Sequence, residues 1–432
     1  MKCKKFFMDD RHIGRSAVVW NAFSAAVSSF QSMVLLLVIT RTGNMSDASI
    51  FVMAYAAGNL FANIGKLGTR QVQVTDLRER HSFYDYLTAR RVSVAWMLLA
   101  AAGYLSAGVL KNGYSAKKTL VILLLCLFKS IEAYEDVYHG RMQQLGRLDT
   151  AGRIFGARML VHMAGFAACY LLTRRLVFTC AVNVLVSFLL FLIWNHAVLD
   201  EFMPKECGGN PAWKTVLSES FPVGACMCLY MYISNAPKFI VDTVLDDSSQ
   251  ACFNIIFMAV FVMSLMGGFL TTPLLKSIGE RWESREISNF TSLLRRSALV
   301  VILADVCLAV LGNLAGYRVL GLIYHVDLSA YRGLMTVFCV AGGMVALQNL
   351  INMSVTAAGY QKYMVAGYGA AAAMMFCLGK QVIMQAGLHG LALFFLLVLA
   401  LLDGYGALLL SAAIRKAVPM REELWENKRK SL

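Results

Sequence analysis

The stretch Thr119–Asp149, TLVILLLCLFKSIEAYEDVYHGRMQQLGRLD, begins as an apolar helix and turns polar halfway along. Lys129, Glu132, Glu135 and Asp136 follow within about two helical turns, and no Gly or Pro separates them. The pattern therefore predicts one continuous helix whose second half carries four charged side chains. The whole sequence is needed to explain why charges stand in so apolar a helix.

Four of the polar side chains in this helix share one face. Lys129, Glu132, Asp136 and His139 are spaced by three, four and three residues, and Glu135 lies a little to the side. A charge near the middle of a membrane costs roughly 2.5–3.5 kcal/mol, so such side chains usually face the protein interior or water and form pairs. Lys129 and Glu132 form an i,i+3 pair. Two interpretations stay open: a buried ion-pair network between helices, and a direct role in transport.

The composition excludes an ordinary soluble protein. Of the 432 residues, 58% are hydrophobic and 15% charged, and the mean hydropathy is +0.60. The formal net charge of +14 comes from basic residues in connecting loops, so we expect no nucleic-acid partner. The 11 cysteines lie mostly in apolar segments and form no C-x-x-C pair, which favours a packing role. We expect no metal site and no cofactor.

Apolar windows long enough to cross a membrane recur along the chain and predict an all-α, polytopic membrane protein with about 12 transmembrane helices. The predicted spans lie near residues 16–40, 47–68, 92–110, 119–139, 151–172, 176–197, 215–239, 251–275, 297–316, 330–353, 363–384 and 387–413.

The distribution of basic residues predicts the orientation of these spans. Loops and ends on one side carry 27 of the 40 lysines and arginines, and the opposite side carries nine. Because positive loops face the cytoplasm, we expect both termini to be cytoplasmic. No loop exceeds roughly two dozen residues, which leaves no room for a soluble catalytic domain. We therefore expect no enzymatic activity.

The segment after the sixth span, DEFMPKECGGNPAW, clusters Pro and Gly and divides the chain into halves. We predict an N-terminal six-helix lobe at residues 1–200, a cytoplasmic linker at 201–214, a C-terminal six-helix lobe at 215–413 and a basic cytoplasmic tail at 414–432. The halves resemble each other weakly, with Gly146 matching Gly359 at a shift of 213 residues. Pro222 and Pro237 predict an interrupted seventh span.

Two motifs, GTRQVQVTDLRERHSFYDY at 68–86 and EAYEDVYHGRMQQLGRLDTAG at 132–152, resemble a known family. They are similar to bacterial polysaccharide flippases of the O-antigen type, in the multidrug/oligosaccharidyl-lipid/polysaccharide exporter superfamily. The likeness is closest to Firmicutes members that serve lipopolysaccharide biosynthesis. It implies a MATE-like fold of two six-helix lobes around a central cavity. It also implies a lipid-linked oligosaccharide substrate, a sugar chain on a polyprenyl pyrophosphate, and contact with polysaccharide assembly machinery. The expected location is then the bacterial cytoplasmic membrane.

A cationic cavity is the functional feature that this resemblance implies, and five side chains are candidates to contact the substrate. Lys66 and Arg70 lie four residues apart at the predicted cytoplasmic end of the second span, where a pyrophosphate would enter. Lys129 lies near the middle of the fourth span, and Arg158 lies four residues before His162 on the fifth, where both could meet the carboxylates of the fourth span. The fifth candidate is Arg41, at the outer end of the first span.

In the second half, Asp305, Lys380 and Asp403 are the lone charges within spans. A carboxylate there could bind a coupling proton or cation. We favour instead an ion pair between Asp403 and Lys380 on neighbouring helices.

Two other functions remain as alternatives. A multidrug antiporter of the same superfamily would share the fold, but a pocket dominated by carboxylates is expected for it. A membrane-embedded polysaccharide polymerase would need a longer outer loop than the dozen or so residues available here. No Walker, HExxH or GxSxG pattern occurs in the chain.

Overall fold

The structure, a computed structural model, describes residues 7–8, 13–42, 44–76, 79–199, 201–203, 212–271 and 274–430. Within these ranges it is helical and contains no strand. Most of the predicted linker therefore lies outside the described residues. Two compact units, Met1–Met231 and Tyr232–Leu432, divide the chain within its eighth helix.

The first unit contains seven helices and the beginning of an eighth. They are α1 (Ile13–Thr40), α2 (Met45–Lys66), the short α3 (Thr69–Thr75), α4 (Phe83–Asn112), α5 (Ala116–Gln144), α6 (Leu148–Thr173), α7 (Leu176–Leu199) and α8 (Trp213–Val241). The helix α5 is central, because it packs against α2, α3, α4, α6 and α7. It is the helix that carries the charges of the opening stretch, so those charges lie among neighbouring helices rather than in lipid.

The second unit repeats this order. It contains α9 (Asp247–Thr271), the short α10 (Leu275–Glu283), α11 (Ile287–Leu311), a π-helical turn (Gly312–Gly316), α12 (Tyr317–Tyr324), α13 (Arg332–Ala357) and α14 (Gln361–Lys430). A backbone break at Gly387 (φ 65°, ψ −160°) divides α14 into two helices. The helix α13 is central here, packing against α9, α10, α11 and α14.

The prediction of about twelve spans is confirmed. Ten of the described helices are long and apolar enough to cross a membrane when α14 is treated as one helix. That set leaves out α5, whose apolar stretch is interrupted by charges, and dividing α14 at Gly387 adds another. One boundary was badly placed, because α4 begins at Phe83 rather than near residue 92. A capping box between Ser82 and Asp85 starts the helix there and brings Arg90 inside it.

The expected interruption of the seventh span is not seen. The helix α8 continues from Trp213 to Val241 through both Pro222 and Pro237. Among the long described helices, the backbone leaves helical geometry at Gly387 instead. A glycine tolerates that positive φ, whereas proline has a helix-compatible φ of about −65°, although it removes one backbone hydrogen bond and crowds the carbonyl four residues earlier.

The internal repeat is visible in the backbone turns. Gly146 and Gly359, 213 residues apart, both have φ 77° and both follow a central helix by two residues. The N–H groups of residues 145–147 bond to carbonyls 141, 143 and 142, and those of residues 358–360 bond to 354, 356 and 355. Arg174 and Gly387, also 213 apart, have positive φ as well. The same shift places Gln348 and Asn349 of α13 on Glu135 and Asp136 of α5.

Candidate functional site

The charged side chains around α5 form three connected groups within the first unit. In the first, the Lys129 ammonium lies 3.0 Å from a Glu132 carboxylate oxygen, as the i,i+3 spacing predicts. The same ammonium donates to the Tyr55 hydroxyl of α2 at 3.3 Å. That hydroxyl donates to the Gln31 Oε1 atom of α1 at 2.8 Å. Gln31 is bonded in turn to His162 Nδ1 at 2.8 Å. A buried polar chain therefore links four helices.

The second group surrounds Glu135, about one turn after Glu132 on α5. Arg158 of α6 donates to one carboxylate oxygen at 2.5 Å, and Asn195 of α7 donates to the other at 2.9 Å. His139 Nε2 lies 3.8 Å from the carboxylate, so His139 belongs with Glu135 rather than with Asp136. Arg158 and Glu135 are both fully buried. Of the two α6 side chains expected to meet these carboxylates, Arg158 does, whereas His162 bonds Gln31 and stacks on a phenylalanine.

The third group is centred on Asp136. Arg70 of α3 donates to one oxygen at 3.0 Å, and Arg90 of α4 donates to the other at 2.9 Å. Arg90 also donates to the Gly65 carbonyl at 2.8 Å, which ties the end of α2 to α4. Arg70 donates twice to the Gln143 side chain, at 3.1 and 2.8 Å. Two guanidinium groups therefore share one carboxylate.

Lys66 completes this arrangement without a partner of its own. It is half-buried, and its ammonium forms no hydrogen bond or ion pair with any residue that the structure describes. It lies within electrostatic range of the Glu132 and Asp136 carboxylates. We call these eight side chains the α5 charge cluster: Lys66, Arg70, Arg90, Lys129, Glu132, Glu135, Asp136 and Arg158. Five cations against three carboxylates leave two positive charges in excess when the histidines are counted as neutral.

The excess charge lies at one end of the α5 charge cluster. Lys129 is matched by Glu132 and Arg158 by Glu135, and the side chains of both pairs are at most 4% exposed. These two candidates are therefore held in ion pairs inside the unit. Arg70 shares the Asp136 carboxylate with Arg90, and the Arg70 side chain is 28% exposed. Lys66 has no carboxylate partner among the described residues. Arg41, the remaining candidate, is exposed just after the end of α1.

The short helix α3, which carries Arg70, is anchored at both ends. At its start, Leu67 and Gly68 have positive φ, and Gly224 of α8 approaches so closely that a Cβ there would lie 2.8 Å from Leu67 backbone atoms. At its end, the Asp76 carboxylate accepts the N–H groups of Arg80 and His81, each at 3.0 Å. The position of Arg70 is therefore set by backbone packing as well as by its own ion pair.

Asp76 lies in the loop between α3 and α4, and its ionised form is stabilised there. Burial alone would raise the pKa of the Asp76 carboxyl. The two backbone hydrogen bonds, the Tyr86 hydroxyl at 3.1 Å and the nearby Arg80 side chain outweigh burial, so the pKa lies below its ordinary value. The ionised Asp76 carboxylate thus holds the loop through these hydrogen bonds.

In the second unit, the predicted pair between Asp403 and Lys380 is wrong. Asp403 is buried and neither of its carboxylate oxygens has a hydrogen-bond partner among the described residues, whereas Lys380 is exposed. Adjacent helices do not by themselves point two side chains at each other. Asp305 is half-buried and packs its carboxylate against Gly343 of α13, with one oxygen lacking a hydrogen-bond partner in the described part of the chain.

Three side chains of the site were missed in the sequence. Arg90 was assigned to a loop, although it is fully buried in α4. The Ser82–Asp85 capping box was the available signal. Gln31 and Tyr55 are single polar residues in apolar helices, and nothing in the local sequence distinguishes them from packing residues. The described part of the chain holds no group of three His, Cys, Asp or Glu side chains that could bind a metal ion.

Solved structures share this fold across nearly the whole chain. One is the Vibrio cholerae MATE transporter VcmN in its bent form, with a TM-score of 0.60 at 12% identity over 96% of this chain and 99% of that chain. An outward-facing multidrug resistance MATE transporter of the MOP superfamily has a TM-score of 0.59 at 12% identity over the same shares. A MOP superfamily transporter from Pyrococcus furiosus, with a TM-score of 0.58 at 11% identity over the same shares, is described as having a binding pocket of reverse polarity that suggests a different function.

No protein-family model matches the sequence, and no curated protein sequence matches it either. The structural neighbours are transporters rather than enzymes. The chain is thus a multi-pass membrane protein with the transporter fold of the MATE and MOP proteins.

Proposed function

We propose that this protein moves a lipid-linked oligosaccharide across the cytoplasmic membrane for surface polysaccharide biosynthesis. The observation that carries the proposal is the excess positive charge at Lys66 and Arg70, at the incompletely paired end of the α5 charge cluster. A polyprenyl pyrophosphate carries negative charge at the junction between its sugar and its lipid. That junction is the part of such a substrate that a protein within the membrane can recognise by charge.

The two candidate residues suit different parts of this recognition. The Arg70 guanidinium is planar and can bind phosphate oxygens in a bidentate manner, and the Gln143 side chain already orients it. The Lys66 ammonium is a compact charge whose three donors are not used by described residues. The buried pairs Lys129–Glu132 and Arg158–Glu135 would hold the helices that present these cations.

Charge recognition alone does not give direction to transport. A site that binds the headgroup equally well in both end states only exchanges it across the membrane. Net export then requires either coupling to an ion or consumption of the product on the far side by a polymerising or ligating reaction.

A complementation experiment tests the proposal. The host should lack the gene, so that surface polysaccharide depends on the supplied variant. We expect K66A and R70A to lose export at normal protein level, and we expect K129A to lower the protein level because it leaves Glu132 buried without its cation. Arg91→Ala is the matched control, since Arg91 is exposed beside the buried Arg90. Normal export by both K66A and R70A would overturn the proposal.

A multidrug antiporter is the second candidate, and the names of the structural neighbours favour it. One of them is a multidrug resistance transporter with the same fold. Organic cations would be repelled by the excess positive charge of the α5 charge cluster, but the unpartnered Asp403 carboxylate offers a negative group in the second unit. Drug efflux measured beside glycolipid translocation in the same vesicles separates the two, because each function predicts activity in one assay only.

A further inference from the structure

Two arginines of the second unit meet at one tyrosine ring. The guanidinium carbons of Arg318 and Arg332 lie 5.6 and 5.7 Å from the centre of the Tyr317 ring. Arg318 Nε also donates to the Tyr317 hydroxyl at 3.0 Å, and Arg332 Nε donates to the Asn313 side chain at 3.4 Å. Because both distances share one centre, the two positive groups lie at most about 11 Å apart.

Neither arginine forms an ion pair with a described carboxylate. The nearest acidic residue in the local sequence is Asp327, which accepts the Ser329 N–H at 2.9 Å. Two guanidinium groups, both exposed to solvent, are thus held near each other by an aromatic ring and an amide, and no described carboxylate pairs with either of them. A pair of this kind favours a negatively charged ligand.

The backbone builds a cavity beside this pair. The π-helical turn Gly312–Gly316 joins α11 to α12 and places Asn313 and Tyr317 around one turn. The helix α12 ends at Tyr324. The next residue, His325, has a left-handed conformation, and the chain then turns back. Tyr317, Arg318, His325 and Asp327 line a surface cavity of about 560 Å³ here. Turns of π-helix occur frequently at functional sites.

We propose that Arg318, Arg332 and Tyr317 form a binding site for a phosphate-bearing lipid headgroup. Arginine binds phosphate oxygens through two parallel hydrogen bonds, and two guanidinium groups within this span can contact one pyrophosphate from two sides. The basic-residue distribution predicts that both arginines lie on the outer side of the membrane, opposite the predicted side of Lys66 and Arg70. The site would then receive the headgroup after transfer, so the choice of a lipid phosphate rests on the proposed function.

Counting bound ligands tests this inference. The purified full-length protein in neutral detergent is titrated with farnesyl pyrophosphate and examined by native mass spectrometry, with farnesol as the uncharged control and inorganic pyrophosphate as the lipid-free one. We expect two farnesyl pyrophosphate molecules on the unmodified protein and one on R318A/R332A. Lys118→Ala is the matched control and should retain two, because Lys118 lies over the Tyr114 ring in the first unit.

The outcomes separate this site from the one that carries the proposed function. Two molecules bound to R318A/R332A would overturn the inference and leave the proposed function standing. Loss of one molecule in R318A/R332A with no loss in K66A/R70A would support the inference and count against the proposed function. If farnesol bound as well as farnesyl pyrophosphate, apolar contacts rather than the arginines would hold the ligand, and the inference would be overturned. Equal affinity for inorganic pyrophosphate would overturn the assignment to a lipid.

The tyrosine supplies a further variant that preserves charge. Tyr317→Phe keeps the ring that both guanidinium groups contact, whereas Tyr317→Leu removes it. We expect Y317F to bind within threefold of the unmodified protein and Y317L to bind at least tenfold more weakly. Equal binding by both would contradict a positioning role for the ring.

Discussion

Arg70 and Arg90 donate to opposite oxygens of a single carboxylate, that of Asp136, at 3.0 and 2.9 Å. Their surroundings differ. Arg90 is fully enclosed, while the Arg70 side chain is 28% exposed. The enclosed arginine therefore neutralises the carboxylate within the unit, and the partly exposed one adds a charge that no second carboxylate of the described residues balances.

This difference predicts unequal effects of removing the two arginines. Arg90→Ala removes a buried partner of Asp136 and the donor to the Gly65 carbonyl, so we expect a loss of about 3–5 kcal/mol in unfolding free energy. Arg70→Ala should cost about 1 kcal/mol or less, because its ion pair is partly exposed. Thermal unfolding of the detergent-solubilised variants measures both. A larger loss for R70A would contradict this assignment.

The Arg158–Glu135 pair predicts a compensating double variant. Arg158→Leu leaves Glu135 buried with Asn195 as its remaining donor, and we expect a loss of about 3–5 kcal/mol. Replacing both residues in E135L/R158L removes the stranded charge, so much of the stability should return. Unfolding of the two single variants and the double variant gives the coupling energy. A double variant less stable than either single one would refute this account.

The contact between Gly224 and the turn before α3 predicts a steric effect. A Cβ at position 224 would lie 2.8 Å from Leu67 backbone atoms, which cannot move aside as a side chain can. We expect G224A to lower the unfolding free energy by about 1–3 kcal/mol. Gly369→Ala is the matched control, since a Cβ there meets open space and alanine favours the helix. Equal stability of the two variants would rule out the close contact.

The unpartnered Asp403 predicts stabilisation by a neutral residue. Because neither oxygen has a partner among the described residues, D403N and D403L should not lower the melting temperature, and D403L should raise it. Lys380→Ala should leave it unchanged in either background. A double-mutant cycle measures the coupling between the two positions. A coupling energy above about 0.5 kcal/mol would indicate an ion pair between Asp403 and Lys380 and would contradict the structure.

The hydrogen-bonded Asp76 carboxylate predicts a pH-dependent contribution to stability. Its pKa is lowered in the folded protein, so the stabilisation is fully present above the ordinary aspartate pKa of about 3.9 and is lost as the pH falls through the folded value. Unfolding of the unmodified protein and of D76N should therefore differ by a constant amount between about pH 5 and 8, and the difference should shrink below about pH 4. If the stability difference between the unmodified protein and D76N grew on acidification, the prediction would be contradicted.

The spans and the short-range pairs could be predicted from the sequence. Hydropathy located the spans because membrane helices need about 20 apolar residues. The Lys129–Glu132 pair follows from helical spacing alone, because both residues lie on one helix. For Arg158, the sequence indicated only that it could meet the carboxylates of the fourth span, and the structure identifies its partner as Glu135.

The remaining contacts depend on helix rotation and on partners far apart in the chain. Asp403 and Lys380 lie on consecutive helices, yet the two side chains do not meet, because adjacency leaves rotation about each axis undetermined. Arg90 and Arg70 reach Asp136 from two helices separated from it by 46 and 66 residues. The local sequence does not indicate contacts between residues so far apart in the chain. The excess positive charge at Arg70 could therefore not be predicted without the structure.

The repeat described above has an electrical consequence. Gln348 and Asn349 occupy the positions of α13 that Glu135 and Asp136 occupy on α5, and residues 333–357 contain no charged side chain. The transmembrane voltage does work only on charges that are displaced, at about 2.3 kcal/mol per elementary charge for each 100 mV. Displacement of the α5 charge cluster along the field would move two net charges, whereas the same displacement of the central helix of the second unit beyond Arg332 would move none. The voltage therefore acts on the charges packed around α5, whereas the part of α13 beyond Arg332 offers it no charge to act on.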